Sequence, residues 1–172
     1  DSTDQAKLNL GLYRDGDERT YTVKTLTTTI DNVSMAIARY YNVDYVAIGN
    51  GQKIEILGGS YPTVDRDTST SLKNIANISL DFSIKKLIFS PQGQYVFVQN
   101  DADFASYNLE YQEIAQSKIS CNSNNVKLNW LNDYYLWSDC GDKLTIREFD
   151  GQNPHTINTV VTGQDAALIH NG

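Results

Sequence analysis

Apolar residues along this chain come in short bursts with a period of two. Val126, Leu128 and Trp130 alternate with Lys127 and Asn129, the pattern of a strand with one buried face. The same alternation runs through Lys53-Ile54-Glu55-Ile56-Leu57 and Lys143-Leu144-Thr145-Ile146-Arg147. Tyr45-Val46-Ala47-Ile48, Tyr95-Val96-Phe97-Val98 and Tyr134-Tyr135-Leu136-Trp137 are unbroken apolar runs, which suit strands covered on both faces. Residues 31–41 offer a possible helix cap at Asp31 but no 3.6-residue period. A strand through Met35, Ile37 and Arg39 fits them at least as well. The chain therefore reads as all-β.

These strands recur in a fixed order: an apolar strand, a turn, a Tyr-led apolar strand, an Asn/Asp/Gly turn, an alternating third strand and a polar fourth. One copy runs through Leu87-Ile88-Phe89, Tyr95 to Val98, Phe104 to Leu109 and Ile114 to Ile119. Another runs through Val126 to Trp130, Tyr134 to Trp137, Leu144 to Phe149 and His155 to Val160. A third runs through Met35 to Arg39, Tyr45 to Ile48, Ile54 to Leu57 and Leu72 to Ile78, with a polar loop from Tyr61 to Ser71. Third strands open at Lys7, Lys53, Phe104 and Lys143, about 45 residues apart, which is the period of a propeller blade. The expected organisation is one β-propeller segment: a half blade over 1–30, blades over 31–80, 81–120 and 121–162, and the first strand of a further blade over 163–172. Arg19 to Val23 falls where the half blade needs a fourth strand, and Asp165 to Ile169 where a new first strand is due. A solenoid of hairpins is the rival arrangement; a two-sheet sandwich does not explain the recurring order. Because neither end supplies a Tyr-led second strand, the ring reads as partial, its other blades coming from the rest of a parent chain or from a second copy.

Composition narrows the partners. The 172 residues are 40% hydrophobic and carry 14 Lys and Arg against 21 Asp and Glu, for a net charge of −7. Phosphate neutralisation needs clustered cations, so nucleic acid and anionic membrane surfaces are disfavoured. No apolar run nears the ~20 residues of a membrane span. Two Cys and two His leave too few ligands for a Cys/His zinc or iron–sulfur site.

The segment Phe89-Ser90-Pro91-Gln92-Gly93-Gln94-Tyr95-Val96-Phe97 resembles the first hairpin of TolB-like and WD40-like β-propeller repeats, which carry Phe-Ser-Pro-Asp-Gly-Lys-Tyr there. Pro91 presets φ for the turn, Gly93 takes its positive-φ position and Tyr95 opens the returning strand. Gln92 and Gln94 replace the family's Asp and Lys, and the Trp-Asp and Gly-His pairs of WD40 repeats are absent. The Asn- and Tyr-rich style also resembles propeller regions of bacterial surface-anchored proteins that contain PEGA modules. The resemblance implies a bacterial, extracytoplasmic interaction scaffold.

In such a blade the first strand runs down and the second runs back. A hairpin turning near Asn132 therefore brings Cys121 and Cys140 to the same rim. We expect a disulfide between them, which belongs to an oxidising compartment.

No catalytic constellation stands out. His155 and His170 are the only imidazoles, both beside turns and outside any nucleophile motif. Acidic pairs recur where second strands end, at Asp101 and Asp103 and at Asp139 and Asp142, with Asp1 and Asp4 in the matching turn. Together with Asn50 they form candidate rim loops for binding a partner, and their oxygens could serve Ca²⁺. Asp and Asn are also the residues that tight turns prefer. Asn32-Val33-Ser34 and Asn77-Ile78-Ser79 match the glycosylation sequon. The sequence thus points to a non-catalytic scaffold for a protein or peptide partner, with carbohydrate binding through exposed Tyr and Trp as a further option. The alternative is a propeller that gates substrate for a larger hydrolase or peptidase whose catalytic domain lies outside this stretch.

Overall fold

The computed structural model describes residues 6–28, 30–63, 71–119, 121, 126–150 and 158–163. Those residues form fourteen strands and one turn of 3-10 helix, Ile30–Asn32, and all strand pairing is antiparallel. The strands are β1 (Ala6–Leu12), β2 (Tyr21–Thr28), β3 (Val33–Tyr40), β4 (Val43–Asn50), β5 (Lys53–Gly59), β6 (Leu72–Ser79) and β7 (Lys86–Phe89). They continue with β8 (Tyr95–Asn100), β9 (Asp103–Asn108), β10 (Glu113–Lys118), β11 (Lys127–Trp130), β12 (Tyr135–Asp139), β13 (Lys143–Glu148) and β14 (Asn158–Thr162). β1 pairs with β2 alone, while β3–β6, β7–β10 and β11–β14 each make a four-stranded sheet whose spatial order follows the sequence. Among the described residues no sheet closes on itself. The segment with a possible helix cap is strand β3, entered from the 3-10 turn, as the missing 3.6-residue period requires.

Turn chemistry sets these hairpins. At the motif turn, Gly93 has φ +82° and donates its amide to the Ser90 carbonyl at 2.9 Å. Ser90 Oγ accepts the Tyr95 amide at 3.2 Å, fixing the start of β8. Tyr41 and Asn42 join β3 to β4, both with positive φ, the two-residue turn that matches strand twist.

The chain divides into two compact units, Asp1–Ile84 and Lys85–Gly172. In the first unit, Leu10, Leu12, Val23 and Leu26 of the β1–β2 pair pack on Val46, Ile48 and Leu57 of the β3–β6 sheet. Lys24 and Glu55 form an ion pair across the same two sheets. The opposite face of β1–β2 presents exposed Lys7, Asn9, Thr25 and Thr27. In the second unit, Phe97 and Phe104 pack on Leu128, Leu136 and Cys140, with Ile88 and Trp130 at the margin. Polar ties join the two sheets there. Lys86 Nζ donates to the Leu128 carbonyl at 2.7 Å and to Asn129 Oδ1 at 2.5 Å, and Gln99 Nε2 donates to the Val126 carbonyl at 2.8 Å.

The run 45–48 is buried from Val46 through Ile48, and 95–98 is buried throughout, as unbroken apolar runs suggest. The run 134–137 departs from this. Tyr134 lies outside β12 and is 59% exposed, and Tyr135 is 40% exposed, because only Leu136 of this run points into the core between the sheets. Of the polar fourth strands, β6 and β10 fall where expected, β2 begins at Tyr21 and runs on past Val23 to Thr28, and the described part of the expected His155 to Val160, from Asn158, lies in β14. Residues 1–5, 64–70, 151–157 and 164–172, which carry Asp1, Asp4, His155, His170 and the expected first strand Asp165 to Ile169, lie outside the described residues.

Candidate functional site

A concavity in the first unit opens where β1, β2 and β3 end or begin. It is a cleft of about 630 Å³. Leu12, Tyr13 and Arg14 line it from the end of β1, Tyr21 from the start of β2, Ile37, Ala38 and Arg39 from the end of β3, and Asp44 from β4. The wall after β5 consists of Ser60, Tyr61, Pro62 and Thr63.

That wall is set by two glycines. A Cβ on Gly58 would sit 2.9 Å from Ile75 Cγ1 and 3.1 Å from Tyr45 Cε1. On Gly59, at φ +154°, it would sit 1.9 Å from the Ser71 carbonyl oxygen. Only glycine lets β5 and β6 approach this closely before the chain turns into Tyr61. Tyr61 is then held at three points. Its amide donates to Asp44 Oδ2 at 2.8 Å, and its hydroxyl proton lies between the carbonyls of Ala38 at 2.8 Å and Tyr45 at 2.9 Å. Burial, reinforced by the Asp44 charge, pushes the Tyr61 phenol up to about 12.

The charged groups of the cleft are internally matched. Arg39 Nε stands 3.7 Å from Asp44 Oδ1, and Arg14 Nη2 donates to Asp17 Oδ1 at 3.3 Å. Arg19 lies over the Tyr21 ring, 5.1 Å from its centroid. Tyr21 is only 5% exposed, and its hydroxyl oxygen is buried without a hydrogen-bond partner. Tyr13 and Ile37, by contrast, are exposed. No imidazole or thiol is among the lining residues; the one carboxylate there, that of Asp44, accepts the Tyr61 amide and pairs with Arg39. The groups present donate, accept and stack, which is the chemistry of holding a ligand.

The residues expected from sequence fall elsewhere. Asn50 is the last residue of β4, at the opposite end of that strand from Asp44. It accepts from Thr28 Oγ1 at 3.2 Å and lines a second cleft of about 360 Å³ with Leu26, Lys53, Glu55 and Asn77. In the second unit, Asp101 occupies the β8–β9 turn at φ +48° and pairs with Lys85 at 2.7 Å. Asp103 opens β9 and pairs with its cross-strand neighbour Lys118 at 3.2 Å. Asp139 is buried and accepts the Gly141 amide at 2.8 Å, closing the β12–β13 turn. Asp142 is exposed in that turn, and its carbonyl accepts the Gly163 amide at 2.8 Å. The carboxylates of Asp101, Asp103 and Asp139 are thus engaged in turns and cross-strand pairs. Among the described residues, no group of three or more His, Cys, Asp or Glu side chains is placed to hold a metal ion.

Cys121 and Cys140 are joined in a disulfide, with their Cα atoms 5.4 Å apart. The β11–β12 register pairs Lys127 with Asp139, which brings the segments carrying the two cysteines side by side. No helix among the described residues is long and apolar enough to cross a membrane.

The cleft itself escaped sequence reasoning because five separated segments build it. Its linear trace is that Tyr13-Arg14, Arg39-Tyr40-Tyr41 and Ser60-Tyr61-Pro62 each put a Tyr at a strand end, the first two beside an Arg. Compared with known proteins, the chain matches no family model and no curated protein.

Proposed function

We propose that this chain is a segment of a β-propeller that serves as a non-catalytic recognition scaffold outside the cytoplasm, within a larger protein. One observation carries the reading: three consecutive four-stranded meanders repeat one strand order, and within each unit successive sheets pack face to face. Radial repetition of such sheets is how a propeller limits its exposed strand edges. The Ser90–Tyr95 turn geometry supports the resemblance to TolB-like and WD40-like hairpins. The disulfide is consistent with an oxidising compartment. The cleft is the recognition site in this reading, since it combines exposed aromatic and apolar surface with a few fixed polar groups.

Immobilised chain, exposed to peptide and glycan libraries, tests this. The expected result is a ligand recovered chemically unchanged, with capture lost in Tyr13→Ala and Arg39→Ala. Capture indifferent to both substitutions, or conversion of the ligand to product, contradicts it.

A further inference from the structure

We infer that the cleft of the first unit binds a neutral sugar; this rests on the recognition reading above and gives it a ligand class. The starting point is Tyr21. It lines the cleft, yet its hydroxyl is buried and lacks a partner. A polar group withdrawn from water without a partner is costly, and a ligand oxygen would satisfy it. The same cleft is lined by donors and an acceptor together: the guanidinium groups of Arg14 and Arg39, paired with Asp17 and Asp44, and the carboxylate of Asp44.

This mixture discriminates between ligand classes. An anion would meet the carboxylate of Asp44. A cation would meet Arg14 and Arg39, with Arg19 stacked on Tyr21. A hydroxyl donates and accepts at once, so a neutral polyol satisfies both signs without an unpaired charge. Tyr13 and Tyr61 supply aromatic surface for the apolar C–H face of a sugar ring, and Tyr61 is already fixed through its amide and its hydroxyl. At about 630 Å³ the cleft has the size of a small-ligand site.

The test is a titration of ¹⁵N-labelled chain with maltotriose, cellotriose and mannotriose, beside glucuronic acid and a triaspartate peptide. A printed array of neutral glycans widens the neutral set. The expected outcome is a neutral sugar that produces saturable amide shifts around 12–14, 37–39 and 61–63. Its Kd should rise at least about tenfold in Tyr13→Ala and in Arg39→Ala. Both side chains are exposed, so the amide spectrum of each variant reports whether the fold is kept. Absence of shifts with every neutral sugar up to about 10 mM overturns the inference, as do shifts confined to other residues. Cleft shifts from glucuronic acid or the peptide alone also overturn it while leaving the recognition reading intact. A cleft that responds to none of the probes, with library capture insensitive to its variants, removes both.

Discussion

Two side chains of the first unit test how local geometry is held. Tyr61 keeps its proton well above the ordinary tyrosine range, to about 12, because burial and the Asp44 charge both oppose the phenolate. A raised phenol pKa means the folded protein binds more protons than the unfolded chain between the two values. Its stabilising share is therefore whole below pH ~10 and lost as pH climbs toward ~12. Burial raises the Tyr95 and Tyr107 phenols too, so absorbance of tyrosinate against pH should show a late-titrating fraction that is reduced by one phenol in Tyr61→Phe. The Tyr41-Asn42 turn is the second case. Asn tolerates positive φ, but Tyr41 holds φ +45° at a cost, while its side chain is exposed. Replacing the pair by Asn-Gly, the preferred two-residue sequence, should stabilise the chain by about 1 kcal/mol in urea unfolding. Gly59→Ala should do the reverse, losing more than about 2 kcal/mol, since its Cβ would strike the Ser71 carbonyl. None of the acids singled out from sequence has this character. Asp101, Asp103 and Asp139 sit where turns and cross-strand pairs use them, because the residue types that favour turns are also those that bind cations.

At the level of strands, alternation was a good guide to most strands with one face on a core. β5 and β11 follow it, and the unbroken runs in β4 and β8 are buried from Val46 and from Tyr95 onward; β13 departs from it, with Thr145 and Arg147 buried beside Leu144, and Ile146 only half-buried. Alternation was also a poorer guide to β2, which runs on past the expected Val23 to Thr28. β2 is rich in Thr and its outer positions face solvent, so little in its sequence marks where it stops. The register shifts at Leu10/Gly11, Ile56/Leu57 and Leu144/Thr145 left no sequence signal, because a bulge responds to the neighbouring strand. The contacts that join sheets were equally hidden. Arg147 of β13 is 4% exposed, lies 6.0 Å from the Phe104 ring centroid, and has a buried Nε without a partner. Burial also draws its pKa down. A desolvated charge of this kind is a poor source of stability, so Arg147→Met should match or exceed the wild type, by up to about 3 kcal/mol in chemical unfolding. A loss of that size would show that the charge is needed. The disulfide was legible because hairpin geometry alone brought its two positions together. Its 19-residue separation makes it worth about 3 kcal/mol, to be read from denaturation with and without reductant.

For the molecule as a whole, what the sequence exposed was repetition, and what it concealed was the cleft. Repetition is a linear property, carried by strands that recur about every 45 residues. The cleft draws Leu12, Tyr21, Ile37, Asp44 and Tyr61 together from far along the chain and has no motif. The proposal that the sheets circle an axis is the claim on which the functional reading depends, and spin-label distances test it directly. One pair of labels belongs on first strands, at Ser34 of β3 and Lys127 of β11. A second pair belongs on fourth strands of the same two sheets, at Ser79 of β6 and Thr162 of β14. Radial sheets place the fourth-strand labels clearly farther apart than the first-strand labels; equal separations, the signature of sheets stacked in a straight column, would contradict the propeller.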